Sequence, residues 1–144
     1  MLKTMSVAGL LLMIVGLLGL LATHSLLSRA PVVITAQAAA FALMVWARIT
    51  FGRRSFHATA DPTEGGLVTT GPYRFVRHPI YTAVCVFVVA GACAHTSFIA
   101  AGLALLVFAG TLARILAEEH LLLRRYPEYA QYAAKTKRML PHVF

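Results

Sequence analysis

The chain has 144 residues, a length that predicts one domain, 1–144. It is 59% hydrophobic and only 12% charged, and a water-soluble domain of this size needs more charge to cover its surface, so composition excludes that class. The formal net charge of +8 indicates an anionic partner, either nucleic acid or a lipid surface.

Long uncharged runs favour the lipid. Asp, Glu, Lys and Arg are absent from residues 4–28, 30–47 and 78–113. A helix of about 20 residues crosses the roughly 30 Å hydrocarbon core of a bilayer. We therefore expect an all-α, polytopic integral membrane protein whose helices contact the lipid bilayer.

The first span is predicted at about 5–22. Gly16 and Gly19 lie within it, and small residues of this kind allow close helix packing. Lys3 before an apolar stretch also fits a secretory signal. The stretch is longer than the roughly 7–15 apolar residues of such a signal, and no small-x-small cleavage site clearly ends it. We expect a retained span.

The second span is predicted at about 31–47, because Pro31 suits the first turn of a helix. The third run is too long for one ordinary span, since it would reach about 52 Å. Its polar middle, 94–97, predicts a turn between two short spans, 79–93 and 98–114. Gly91 and Gly102 should let these two helices approach, and Cys85 and Cys93 are expected to be packing residues.

The positive charges predict the topology. Eleven of the thirteen Lys and Arg residues lie in 48–78 and 114–138. Four spans place both termini, the loop 48–78 and the tail 115–144 on one face, which the positive-inside rule makes cytoplasmic. Attraction to anionic lipid then accounts for the net charge, and no nucleic acid is needed as a partner. Nothing in the sequence sets an oligomeric state.

The tail is predicted to be amphipathic. Pro127 should end the helix that leaves the fourth span. A second short helix, about 128–137, would then lie on the membrane surface. The tail tyrosines would anchor it at the interface, at positions Tyr126, Tyr129 and Tyr132.

Two polar segments, 65–81 and 114–141, hold the residues that chemistry would need. His78 precedes Pro79 at the start of the third span, where helix N–H groups attract anions. Arg114 and Glu118 are four apart on one helix face. The arginine can bind a carboxylate with two hydrogen bonds, and the glutamate an ammonium or sulfonium.

Simpler interpretations stay open for each of these residues. Arg74 and Arg77 can be topology signals, and His78 can be only a capping residue. Arg114 and Glu118 can be an exposed ion pair worth little. Spacing alone therefore predicts a small membrane protein without a defined ligand.

Two motifs in order carry a resemblance. Residues 71–81 read Gly-Pro-Tyr-Arg-Phe-Val-Arg-His-Pro-Ile-Tyr. After the apolar hairpin come Glu-Glu at 118–119 and Tyr-Pro-Glu-Tyr-Ala-Gln-Tyr at 126–132. Together they resemble the isoprenylcysteine carboxyl methyltransferase and phospholipid methyltransferase family over about 65–141. Tyr126-Pro127 departs from the Phe-Gly that is usual in that family.

The resemblance implies a membrane-embedded, S-adenosylmethionine-dependent methyltransferase with its site at the cytoplasmic leaflet and no metal. Arg114 would be the catalytic and substrate-binding residue. The cofactor site would be lined by Leu67, Val68, Tyr73, His78, Pro79, Ile80, Tyr81 and Glu118.

The resemblance implies a lipophilic methyl acceptor, and we expect the carboxylate of an isoprenylcysteine-type substrate because an arginine lies at the matching position. The alternative is the amine of an ethanolamine phospholipid, whose proton His78 or Glu118 would remove. A rival of another class is a small membrane scaffold that catalyses nothing. A soluble methyltransferase is disfavoured, because no glycine-rich loop follows a strand.

Overall fold

The computed structural model describes residues 2–52 and 66–141. This part of the chain is helical and contains no strand longer than a single bridge, which confirms the all-α class. A 3-10 turn, Gly71–Arg74, precedes the third helix. The five helices are α1 Leu2–Ala22, α2 Pro31–Phe51, α3 Pro79–Ala94, α4 Phe98–Arg125 and α5 Tyr129–Lys135. The basic loop residues Arg53 and Arg54, and Gly65, lie outside the described residues.

Three helices, α1, α2 and α4, are long and apolar enough to cross a membrane. Their apolar windows are only 17–39% buried inside the protein, so most of their apolar surface faces outward, as a lipid environment requires. With 16 residues, α3 is shorter and reaches about 24 Å. These helices fit an integral membrane protein.

The fourth helix extends beyond the predicted apolar span 98–114, as expected from the prediction that Pro127 ends it. It continues to Arg125, with Tyr126 as its C-cap. Residues 115–125 are rich in Leu, Ala, Glu and Arg, which favour helix, and Pro127 is the first residue that stops it. Charge therefore predicted where the apolar part of α4 ends, and the predicted helix end at Pro127 is confirmed.

The bundle order is α1, α4, α3, α2. The first helix runs antiparallel to α4 and packs along it, while α3 packs between α4 and α2. A Cβ added to Gly9 would lie 2.7 Å from the Gly110 carbonyl oxygen, so the two backbones nearly touch where α1 and α4 cross. A shared core is formed by Met13, Leu20, Val88, Ala92, Ala100 and Val107.

The packing predicted for the glycines and cysteines is confirmed for two glycines and one cysteine and is wrong for the other three residues. Gly16 and Gly19 pack against Val107 and Leu103 of α4, which confirms their predicted role. Gly91 instead meets the backbone of Leu26 in the α1–α2 connection, and an added Cβ on Gly102 meets no described residue within 4 Å. These two glycines do not bring α3 and α4 together. Cys85 is buried as predicted, but Cys93 is exposed, because it faces outward from α3.

Residues of four helices meet at one end of the bundle, which we call the polar end. There Arg114 near the end of the apolar part of α4 contacts Ser6 near the start of α1 and Tyr81 near the start of α3. The ring of Phe51 at the end of α2 lies 5.4 Å from the ring of Tyr73. The N-terminal residues, the loop and the tail therefore come together.

The tail differs from the amphipathic anchor that we predicted. The expected break at Pro127 is present, and α5 forms close to its predicted bounds. However, Tyr129 is buried in the protein and Tyr132 bonds the loop, so these two tyrosines are not surface anchors. The Tyr132 hydroxyl pairs with the Tyr73 carbonyl oxygen, a backbone group of the loop before α3 that needs a partner.

Candidate active site

Arg114, Tyr81 and Glu118 form the centre of the polar end. Arg114 Nε donates to the Tyr81 hydroxyl at 2.7 Å, and that hydroxyl donates in turn to Glu118 Oε1. Arg114 Nη2 lies 3.6 Å from the same carboxylate oxygen. Arg114 as a whole residue is only 5% exposed. It therefore does not form the solvated surface ion pair that its spacing from Glu118 alone allowed.

His78 lies between two carboxylates. Its Nδ1 is 3.7 Å from Glu118 Oε2, and its Nε2 is 3.3 Å from Glu119 Oε1. The residue is buried and forms the N-cap of α3. His78 and Glu118 were separated by the whole apolar hairpin in sequence, and the fold brings them into contact.

Glu119 is the point where loop, helix and tail are tied together. Arg77 Nε donates to its Oε1 at 2.8 Å, and Arg138 Nε donates to its Oε2 at 2.9 Å. Arg77 also donates through Nη1 to the carbonyl oxygens of Ala133 and Thr136. We call Glu119, Arg77 and Arg138 the tail clasp. Each arginine-carboxylate bond is charge-assisted, so the clasp holds the tail firmly.

Backbone pairing extends the clasp. Residues Val76 and Lys137 form a parallel bridge. The Arg77 and His78 amides donate to Lys137 O at 2.8 Å and Arg138 O at 2.9 Å. Thr82 Oγ1 adds a 2.9 Å bond to Met139 O. The segment around His78 is therefore fixed by the tail immediately before α3 begins.

A second link joins loop and tail through two tyrosines. The Tyr132 hydroxyl donates to the Tyr73 carbonyl oxygen at 2.6 Å. Burial raises the pKa of Tyr132 to about 12, and burial together with the neighbouring Tyr132 raises the pKa of Tyr73. Both phenols therefore stay neutral at physiological pH, as a donating hydroxyl requires.

The predicted site residues fall into two groups. His78, Tyr81, Arg114 and Glu118 are in mutual contact. Pro79 is buried as the first residue of α3 and Ile80 follows it in the first turn, where backbone N–H groups have no helical partner. Tyr73 is buried on the 3-10 turn against α2. Leu67 and Val68 are half-buried in the irregular segment before that turn, and their role stays a prediction.

Sequence reasoning assigned no role to four residues that the fold places here. Arg77 was interpreted as a topology signal, and no partner was predicted for Arg138, Glu119 or Ser6. The Glu-Glu pair was visible as a motif, but the contacts of Arg77 and Ser6 bridge 42 and 108 residues. No local pattern encodes partners so distant.

The cluster has the chemistry of a site for a charged small molecule. It combines the half-buried carboxylate of Glu118 and the buried carboxylate of Glu119 with a buried guanidinium, a histidine and the N-terminus of α3. A ligand that carries an ammonium or sulfonium fits Glu118, and a ligand carboxylate fits the helix N-terminus or Arg114. Within residues 2–52 and 66–141, no group of three or more His, Cys, Asp or Glu side chains is arranged to hold a metal ion.

Comparison with known proteins places this cluster in context. Residues 35–129 match the sequence model of a family described as "Phospholipid methyltransferase". The "Nickel-cobalt-cadmium resistance protein NccN" of Alcaligenes xylosoxydans xylosoxydans is 42% identical over 78 residues, which are 54% of this chain and 37% of that relative. The chain thus matches little more than a third of the relative's length. No solved structure matches significantly.

Proposed function

The chain belongs to the phospholipid methyltransferase family, and on that basis we propose that it is an S-adenosylmethionine-dependent methyltransferase acting on a lipophilic acceptor. The observation that carries the proposal is the cluster of the buried Arg114 and His78 with the half-buried Tyr81 and Glu118, built from the start of α3 and the middle of α4. Such a cluster of both charges at the end of an apolar bundle has functional rather than packing chemistry.

The residues present fit the cofactor. S-adenosylmethionine supplies a methyl group that its sulfonium already activates, so the protein needs to align and shield the reactants. Glu118 would attract the positive groups, and the first-turn N–H groups of Ile80 and Tyr81 would receive the carboxylate. The walls of the pocket would be completed by Leu67, Val68, Tyr73, His78 and Pro79.

For the acceptor we propose a carboxylate of isoprenylcysteine type, bound by Arg114. A carboxylate is already ionised at neutral pH, so its oxygen can take the methyl group and become a methyl ester without a general base. Arg114 would hold one carboxylate oxygen by charge-assisted hydrogen bonds and leave the other oxygen to react. The buried position of this guanidinium supports the role.

We place this reaction at the cytoplasmic leaflet. Arg77 of the loop and Arg138 of the tail lie on the end of the bundle that carries the cluster, and positive charge favours the cytoplasmic side. A lipophilic acceptor would then approach sideways from the bilayer, with its polar end at the cluster and its apolar part among the lipids.

A phospholipid amine is the second candidate acceptor, favoured by the description of the matching family. An amine must lose a proton when it is methylated, and His78 between two carboxylates is placed to accept it. The two acceptors differ in the atom methylated, so one assay separates them.

The test uses the full chain purified in detergent, labelled S-adenosylmethionine, and two acceptors: an N-acylated S-isoprenylcysteine and phosphatidylethanolamine. We expect base-labile methyl ester from the first. Stable N-methyl product from the second would establish the amine reaction instead. Calorimetry with S-adenosylhomocysteine is the companion measurement. If S-adenosylhomocysteine does not bind at millimolar concentration and no methyl group is transferred, the proposed enzymatic function is overturned in favour of a scaffold.

A further inference from the structure

The first helix contains a buried hydroxyl that the fold itself does not use. Ser6 on α1 is 0% exposed, and its Oγ has no hydrogen-bond partner among residues 2–52 and 66–141. A helical serine ordinarily bonds a carbonyl one turn back, or points to water. Ser6 also lies outside the segment 35–129 that matches the family.

Close packing places Ser6 beside Arg114. The Ser6 carbonyl oxygen accepts a 3.3 Å bond from Arg114 Nη1. One turn along α1, a Cβ added to Gly9 would lie 3.0 Å from Arg114 Cγ. The absence of a side chain at Gly9 therefore lets α1 approach the arginine closely enough for Ser6 to touch it.

Helix direction shows which level of α4 the Ser6 hydroxyl faces. Ser6 belongs to the buried stripe of α1, with Gly9, Met13 and Gly16, that packs on α4. Side chains on a helix tilt toward its N-terminus. Because α1 is antiparallel to α4, that tilt directs the hydroxyl toward the turn of α4 between Arg114 and Glu118.

An unpaired buried hydroxyl destabilises a fold, and alanine in its place would pack without that cost. At the level of Arg114, such a hydroxyl has a donor left over for a ligand that completes its hydrogen bonding. Beside a guanidinium, that ligand carries an anionic oxygen, because Arg114 supplies the charge and Ser6 a further donor.

We propose that α1 forms a third wall of the active site and that the Ser6 hydroxyl donates to an anionic oxygen of the methyl acceptor held by Arg114. This inference rests on the proposed methyltransferase function. A carboxylate and the phosphate of a phospholipid headgroup share the required chemistry. In either case Ser6 determines affinity for the acceptor and not for the cofactor.

The test compares Ser6→Ala with wild type in methyl transfer to the N-acylated S-isoprenylcysteine and to phosphatidylethanolamine. We expect the KM for the true acceptor to rise about tenfold, the loss of one hydrogen bond to a charged group. The affinity for S-adenosylhomocysteine should not change. The Tm should stay equal or rise, because an unpaired hydroxyl is removed.

Ser25→Ala is the matched control. Ser25 is also a buried serine, but it lies beyond the other end of α1, where its Oγ donates to Thr23 O at 3.2 Å. It should leave the KM of both acceptors unchanged. Ser6→Cys, nearly the same size but a weak donor, should raise the acceptor KM as well, and it serves in place of Ser6→Ala where the latter fails to fold.

An unchanged acceptor KM in both Ser6 variants would overturn the inference while the wild-type activity stood. A fall in Tm and in cofactor affinity, with the KM unchanged, would do so too and would make Ser6 a packing residue. A wild-type protein that transfers no methyl to either acceptor would overturn the proposed function and this inference with it. The acceptor whose KM responds identifies the anionic group.

Discussion

Arg114 is contacted by residues of three helices at the polar end. Its guanidinium bonds Tyr81 of α3, Ser6 of α1 and Glu118 of its own helix. Since an arginine fork has five donors in fixed directions, such contacts set its orientation before any ligand binds. A preoriented guanidinium loses little freedom when it receives a carboxylate.

Replacing Arg114 separates acceptor binding from cofactor binding. We expect Arg114→Ala to lower kcat/KM for methyl transfer by about 10- to 100-fold, the range of one or two charge-assisted hydrogen bonds. Binding of S-adenosylhomocysteine should survive, measured by calorimetry. Arg114→Lys keeps the charge without the planar fork and should recover only part of the activity.

The converse result contradicts this assignment. Cofactor affinity lost in Arg114→Ala, with normal turnover at high cofactor, would move Arg114 into the cofactor site. The exposed Arg124 on the same helix provides the control, because Arg124→Ala removes an equal charge outside the cluster.

Tyr132 gives a pH-dependent prediction. Burial raises the pKa of Tyr132 to about 12 in the folded state, whereas its pKa in the unfolded state is near 10. The folded state therefore stabilises the neutral phenol more than the unfolded state does. The stabilisation is therefore fully present below about pH 10 and is lost as pH rises toward 12. The tyrosinate absorbance titration of Tyr132→Phe, subtracted from that of wild type, should show Tyr132 titrating well above pH 10. A midpoint near 10 would show that Tyr132 is not buried against the loop.

Helix α4 is the element that unites the molecule. Its first part is apolar and packs between α1 and α3, while its last turns carry the tail clasp residue Glu119. One continuous helix thus connects the membrane bundle to the residue that holds the loop and tail in place. The short α5 adds two buried or half-buried tyrosines against the same loop.

Removing the charge of Glu119 should release the tail. Glu119→Gln leaves Arg77, which is 10% exposed, without its carboxylate, and we expect a loss of about 2–4 kcal/mol in unfolding free energy. Limited trypsin digestion followed by mass spectrometry should show faster cleavage after Lys137, a site that all the variants retain. Arg138→Gln should have a smaller effect, because its side chain is 33% exposed.

Glu128→Gln is the control for the clasp. Glu128 is exposed at the start of α5, so the loss of its charge should leave both the Tm and the cleavage rate near wild type. Equal cleavage in all three variants and wild type would contradict the clasp.

At the scale of the whole molecule, α1 and α4 pack through glycine. The Cβ of an alanine at Gly110 would lie 2.5 Å from the Gly9 carbonyl oxygen, whereas at Gly102 it would meet no atom of the described part of the chain within 4 Å. Both glycines are on α4, eight residues apart. The same substitution therefore meets a packed backbone at one position and open space at the other.

We expect opposite effects on stability. Gly110→Ala should force α1 and α4 apart and lower the unfolding free energy by about 1–3 kcal/mol. Gly102→Ala should raise it by up to about 1 kcal/mol, because alanine is the better helix former. Thermal unfolding in detergent measures both. Equal effects of the two substitutions would mean that α1 does not cross α4 at Gly110.

Sequence predicted the elements of this fold better than their partners. The apolar runs and the polar turn at 94–97 gave the helices, since burial in lipid demands long uncharged segments. The pairing of α1 with α4 was not predicted, because a helix that is apolar on all sides does not mark which face it packs. The resemblance brought His78, Tyr81, Arg114 and Glu118 together, and their contact agrees with it. The tail clasp depends on contacts between distant segments and was missed.

The short length of α3 affects the membrane around it. Sixteen residues reach about 24 Å, against a hydrocarbon thickness of about 30 Å. The uncharged part of α4 before Arg114 has the same number of residues. For the hairpin to reach both surfaces, the adjacent lipid leaflets must thin by about 6 Å, or water and headgroups must descend to the cluster. Either adjustment brings lipid headgroups to the depth of Arg114. Hydrophobic mismatch would therefore bring the polar end of the acceptor to the cluster, and thicker bilayers should slow its binding.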